Sequence, residues 1–155
     1  MTPAINQAKK HKIAYSIHQY KHDPSNNSYG TEAAEKLNLP AEQVFKTLVV
    51  QLDSGDMAVA VVPVSAMLNL KAIAKAAGSR KAAMADKGLV QKRTGYMLGG
   101  VSPLGQKNRL TTYIDRTANN FTTIFVSGGR RGLEIELAPQ DLATLTSAHF
   151  ADLTD

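Results

Sequence analysis

The chain has 155 residues, 43% of them apolar, and a formal net charge of +5 with an isoelectric point near 9.5. That length suits one domain spanning residues 1–155, large enough to bury a real core. Cysteine is absent, which excludes disulfides, thiolate metal sites and a protein thiol nucleophile.

The opening residues, Met-Thr-Pro-Ala-Ile-Asn-Gln-Ala-Lys-Lys, hold no apolar core of a signal peptide. The longest apolar stretch, Met57 to Val64, is too short to span a bilayer. A cytoplasmic protein is expected.

Thr2-Pro3 opens a helix, with Thr as cap and Pro at the first helical position, running to about Lys10. Ala14 to Tyr20 alternates as a strand does, and His22 to Ser28 is a loop by composition. A short helix is predicted over Thr31 to Leu37, and Pro40 starts a further turn. Val44–Leu52 and Met57–Val62 read as a hairpin joined by Asp53-Ser54-Gly55-Asp56. Asn69 and Asp86 cap helices that end at Gly78 and Gly95. Three strands follow, Thr111–Asp115, Thr122–Val126 and Leu133–Leu137, before a C-terminal helix opened by Pro139. Hairpins and helix-linked strands both occur. The pattern predicts an α+β (mixed α/β) domain with five or six strands in a mixed sheet and four or five helices.

Three features carry candidate chemistry. The first is Lys46. In a strand, alternate residues share a face, so Lys46 keeps company with Val44, Leu48, Val50 and Leu52. A lysine there either snorkels to the sheet edge or points into a polar pocket. The other two are glycine-rich turns, Gly95 to Gly105, which includes Gly99, Gly100 and Ser102, and Ser127-Gly128-Gly129-Arg130-Arg131-Gly132. Such turns can aim successive N–H groups at an anion or a developing oxyanion. They also occur as plain tight loops. Neither is a P-loop or a dinucleotide fingerprint, since no Gly-Lys-Ser/Thr follows and the second turn leads into a strand.

Other signals are weaker. His18 and His22 are four apart but off any helix, which argues against a metal pair. Glu134 and Glu136 share a strand face and read as its solvated side, opposite Leu133, Ile135 and Leu137. No Gly-x-Ser-x-Gly elbow exists. Basic residues cluster at 9–12, 80–81, 92–93, 107–109 and 130–131, which suits either a polyanionic partner or a solvated surface.

The blocks Val44-Phe-Lys46-Thr-Leu-Val49, Gly95 to Gly105 and Val126 to Leu137, in this order, resemble the YbaK family along essentially the whole chain. These are free-standing aminoacyl-tRNA deacylases related to the editing insertion of bacterial prolyl-tRNA synthetase. The resemblance implies a strongly curved mixed sheet flanked by helices and hydrolysis of mischarged Cys-tRNA(Pro). It implies catalytic roles for Lys46, Gly99, Gly100 and Ser102, and substrate contacts from Tyr20, Phe45, Ser127 and Gly128. It further implies no cofactor, no metal, aminoacylated tRNA(Pro) as substrate and prolyl-tRNA synthetase as partner. The expected chemistry is substrate-assisted, with the cysteinyl thiol attacking its own ester. A non-catalytic module holding a nucleotide or charged tRNA end is the rival reading, and a small-molecule esterase a third.

Overall fold

A computed structural model of the chain describes residues 1–26 and 28–155. Asn27, inside the predicted His22–Ser28 loop, lies outside the described residues. The helices form where their caps place them. Helix α1 (Pro3–Lys10) starts on Thr2, whose Oγ1 accepts from the Ile5 amide at 3.2 Å. Helix α2 spans Tyr29–Lys36. Helix α3 (Leu70–Ala76) is capped by Asn69, whose side chain accepts from the Ala72 amide. Helix α4 (Lys87–Thr94) is capped by Asp86 and ends on Gly95 in the left-handed conformation. Helix α5 (Pro139–Thr146) has Pro at its first position. None of these is long and apolar enough to cross a membrane.

The described strands are β1 (Tyr15–Gln19), β2 (Phe45–Leu52), β3 (Met57–Pro63), β4 (Ala82–Met84), β5 (Thr111–Asp115), β6 (Ile124–Ser127), β7 (Leu133–Leu137) and β8 (His149–Ala151). They form two sheets. One is antiparallel, in the order β1-β7-β6; the other is mixed, in the order β4-β2-β3-β5-β8. Strands β2 and β3 make the predicted hairpin, whereas β3–β5 and β5–β8 are parallel. A parallel bridge, Val44 to Phe125, joins the two sheets at the start of β2.

Strand β3 is buried at every position. It is the centre of a sheet covered on both faces, and such strands read as unbroken apolar runs. One face packs Phe45, Val49, Val59 and Val61 against α1, α4 and α5. The other packs Val50, Leu52, Ala58, Ala60 and Val62 under Ile73 of α3 and Leu153. Both faces of β2 are therefore largely apolar, and Lys46 stands near the strand's open end, paired with Val62.

A buried charge cluster ties down the segment between β1 and α2. The side chain of Glu32 is fully covered, with His22 Nδ1 at 2.7 Å, Arg131 Nη2 at 3.1 Å and Lys36 Nζ at 3.3 Å. Its Oε2 also accepts from the Asp23 amide at 2.8 Å. Burial pushes this carboxyl up, but the Asp23 amide, His22 and Lys36 outweigh it and hold its pKa below the ordinary value. Removing one member of such a cluster strands the others. Glu32→Ala should lower unfolding stability at neutral pH by about 3 kcal/mol, near the lower end for a buried pair because His22 and Lys36 keep some solvent. The sign with pH follows from the depressed pKa. The contribution is present above the unfolded-state value and is lost as pH falls through the folded one. Urea melts of wild type and variant should therefore converge in acid.

Candidate functional site

The open end of β2, the first turn of α2 and the two glycine turns enclose a cavity of about 370 Å³. Tyr20, Phe45, Lys46, Gly99, Ser127 and Glu134 all line it. Five of the eight residues singled out in the sequence thus meet in one place, although they come from four separate segments.

The other three do not line this cavity. Gly100 donates its N–H to Met97 O at 2.9 Å. A Cβ there would lie 2.9 Å from the Arg130 Cα, so the two glycine turns pack backbone to backbone. Gly128 donates its N–H to Leu133 O at 2.8 Å, closing the β6–β7 hairpin. Ser102 is fully buried, and its Oγ accepts from the Leu104 amide at 3.2 Å. Of the turn amides considered from the sequence, that of Gly99 has no acceptor among the described residues. Gly99 holds φ at 87°, in the left-handed region that favours glycine.

The Lys46 ammonium has no hydrogen-bond or ion-pair partner among the described residues, and burial pushes its pKa down. Glu134 was missed by the alternation pattern. It is 7% exposed, and burial pushes its carboxyl up to about 8. It too has no partner among the described residues. The face read as solvated is covered: Phe125 of β6 lies on it and packs against Ala33 and Ala34 of α2. Phe125 is the signal that could have shown this, because a large apolar residue between Ile124 and Val126 cannot share their face.

Glu136, two residues on, behaves oppositely. Its Oε2 accepts from Thr123 Oγ1 at 2.6 Å and its Oε1 meets His18 Nε2 at 2.9 Å. The Thr123 hydroxyl and His18 hold its pKa low against burial. Two carboxylates on one strand face are thus driven apart by their surroundings, a pattern typical of functional sites. His18 and His22 pair with different carboxylates, Glu136 and Glu32. Among the described residues no group of His, Asp and Glu is placed to hold a metal ion.

The raised pKa of Glu134 has a stability consequence. Between the unfolded value and about 8 the folded state keeps a proton that the unfolded chain has released. Stability therefore falls as pH rises through that window. Glu134→Gln should flatten this slope and raise the melting temperature at pH 8, while lowering turnover. A stabilising change that costs activity marks a residue kept for function.

The model of the aminoacyl-tRNA editing domain matches residues 25–145. The chain belongs to this family. It is 36% identical over 153 residues to a candidate Cys-tRNA(Pro)/Cys-tRNA(Cys) deacylase, EbsC of Enterococcus faecalis, covering 99% of this chain and 93% of EbsC. An uncharacterised protein of Bacillus subtilis, YwhH, is 29% identical over 112 residues, 72% of this chain and 71% of YwhH. Among solved structures, a candidate trans-editing enzyme for prolyl-tRNA synthetase superposes with a TM-score of 0.83 at 22% identity, covering 100% of this chain and 99% of the other. A hypothetical protein superposes with a TM-score of 0.88 at 24% identity, over 99% of this chain and 100% of its own. At those identities the two structures speak for the fold. The mixed α/β editing-domain architecture expected from the sequence is the one observed, with its strands divided between two sheets rather than gathered in one mixed sheet.

Proposed function

We propose that this protein is a trans-editing deacylase that hydrolyses the ester of mischarged Cys-tRNA(Pro) in the cavity around Lys46. One observation carries the reading furthest. The cavity holds an ammonium and a carboxyl that have no partner among the described residues and do not pair with each other. The 3′ end of an aminoacyl-tRNA bears the complementary set, a terminal phosphate and ester oxygen beside a free α-amino group. Lys46 meets the phosphate or the ester carbonyl. Glu134 meets the amino group, and an arriving cation draws its pKa down toward the charged form. Tyr20 and Phe45 flank the side chain, and Ser127 borders the same space.

The chemistry comes from the substrate. The cysteinyl sulfur attacks its own carbonyl carbon, the bond to the ribose oxygen breaks, and the thiol proton ends on that oxygen. The ring product, a thiolactone, then opens in water to free cysteine. Orientation of a folded-back aminoacyl end can supply about 7–11 kcal/mol of the barrier. The Gly99 amide, aimed at the developing oxyanion, would contribute about 2.7–4 kcal/mol more. Gly100, Ser102 and Gly128 serve this site by shaping the two turns.

A domain of this size leaves tRNA identity to a partner, and prolyl-tRNA synthetase, which handles the same tRNA, is the proposed one. The reading of a non-catalytic tRNA-end module is separated by turnover. Sub-stoichiometric protein added to Cys-tRNA(Pro) should clear the ester in many cycles. Saturable binding with an unchanged ester half-life would leave only the binding module.

A further inference from the structure

Positive charge is segregated along this chain. Residues 1–22 and 87–114 hold nine of the eighteen Lys and Arg and none of the thirteen Asp and Glu. The fold packs these two stretches against each other. Gly105 donates its N–H to Gln7 Oε1 at 2.7 Å, and a Cβ on Gly105 would lie 2.4 Å from the Pro3 carbonyl carbon. Helix α1 therefore lies directly on the first glycine turn. Beside this junction is a second cavity, of about 330 Å³, lined by Lys10, His11, Gln106 and Arg109. The end of α4 joins the same face, because the Lys107 amide donates to Thr94 O and the Asn108 amide to Arg93 O, both at 2.9 Å. That brings Lys92 and Arg93, in the last turn of α4, beside Lys107. The third wall is the last turn of α5, Leu145 and Thr146, whereas that helix's carboxylate, Asp141, is in its first turn.

Arg109 is held in place, its Nη2 donating to Leu145 O at 2.6 Å. Lys9, Lys10, Lys92, Arg93 and Lys107 are exposed, and none makes an ion pair among the described residues. A surface that concentrates unneutralised cations in this way suits a polyanion, and phosphate neutralisation is the usual use of such groups.

We propose that this face holds the sugar–phosphate backbone of the tRNA acceptor stem while the aminoacylated end occupies the Lys46 cavity. The inference rests on the editing function proposed above. Spacing supports it. Helix α1 begins at Thr2, whose hydroxyl donates to Gly128 O at the cavity's second turn, and ends at Lys10 on the basic face. Eight helical residues span about 12 Å, the length of only a few nucleotides of a strand. A tRNA end seated in the cavity would bring its stem phosphates to this face.

The test compares wild type with the double variant Lys10→Glu/Lys107→Glu, checked for folding by circular dichroism. Each protein is given Cys-tRNA(Pro) and the cysteinyl ester of a CCA trinucleotide, which has no stem. The variant should lose about tenfold or more in kcat/KM on the tRNA, with a salt slope shallower by about two, and should match wild type on the trinucleotide. Equal kcat/KM of the two proteins on tRNA would overturn the proposal. So would a loss seen only when prolyl-tRNA synthetase is added, which would give the face to the protein partner. Filter binding of uncharged tRNA keeps the two readings separate. If wild type hydrolyses neither ester, the editing function fails, yet the face still predicts weaker tRNA binding by the variant, and unchanged binding refutes it.

Discussion

Lys46→Ala should reduce deacylation of Cys-tRNA(Pro) to near the uncatalysed rate while leaving the protein folded. The Lys46 side chain is half-buried in a cavity that Leu48 and Val64 also line, with no protein partner among the described residues, and desolvation already lowers its pKa. A charge held that way destabilises the free protein slightly and gains its compensation only when an anionic group enters. The substitution should therefore leave the melting temperature unchanged or raise it. Its cost falls on the bound state, at least the 10²–10³ in rate typical of losing one donor to a developing charge. Lys46→Arg should also be impaired. A planar guanidinium fork presents its charge and donors differently from a compact ammonium and does not reproduce its contacts. Single-turnover rates and thermal melts on the three proteins check this. Activity of Lys46→Ala near the wild-type level would mean that the lysine only snorkels to the sheet edge.

The second large effect is expected on the substrate rather than the protein. If the cysteinyl thiol is the nucleophile, Ser-tRNA(Pro) should react far more slowly and Ala-tRNA(Pro) hardly at all. A hydroxyl is a much poorer nucleophile at neutral pH, and a methyl group offers none. The difference should lie in the chemical step and not in binding, since cysteine, serine and alanine differ by a single atom and pocket contacts discriminate such pairs weakly. Rapid quenching of one turnover should trap a cysteine thiolactone. Equal hydrolysis of cysteinyl and alanyl esters, with no thiolactone, would mean that water attacks directly and the cavity acts as a general esterase.

Local signals in the chain were readable wherever a single residue type does a local job. Thr2, Asn69 and Asp86 cap the helices they were expected to cap, and Pro139 opens the last. The Asp53–Asp56 connection joins the hairpin it predicts. Strands β4 and β8 were not predicted. Each has three residues at the margin of the larger sheet, too few to show an alternation, and they exist because β2 and β5 offer an open edge. The parallel pairing of β3 with β5 joins segments some fifty residues apart, a separation to which local pattern is blind.

The site followed the same division. Lys46 stood out because a charge interrupts an apolar face. The glycine turns stood out by composition, but which of their amides remain free is set by contacts between them. Gly100 is pressed on Arg130 and Gly128 is spent on the hairpin, so only the folded chain distinguishes them from Gly99. Glu134 was hidden by a rule that is sound for half-exposed sheets and fails here because α2 covers the second face. The buried Glu32 cluster was invisible for a related reason: its members lie at 22, 32, 36 and 131, and only the close approach of the β6–β7 turn to α2 unites them.

The ester half-lives of Cys-tRNA(Pro) and Pro-tRNA(Pro), measured side by side with catalytic amounts of the protein, bear directly on the proposed editing function. If that function is right, the cysteinyl ester is lost many times faster than without protein and the prolyl ester survives unchanged. Equal loss of both esters, or loss of neither, would contradict it.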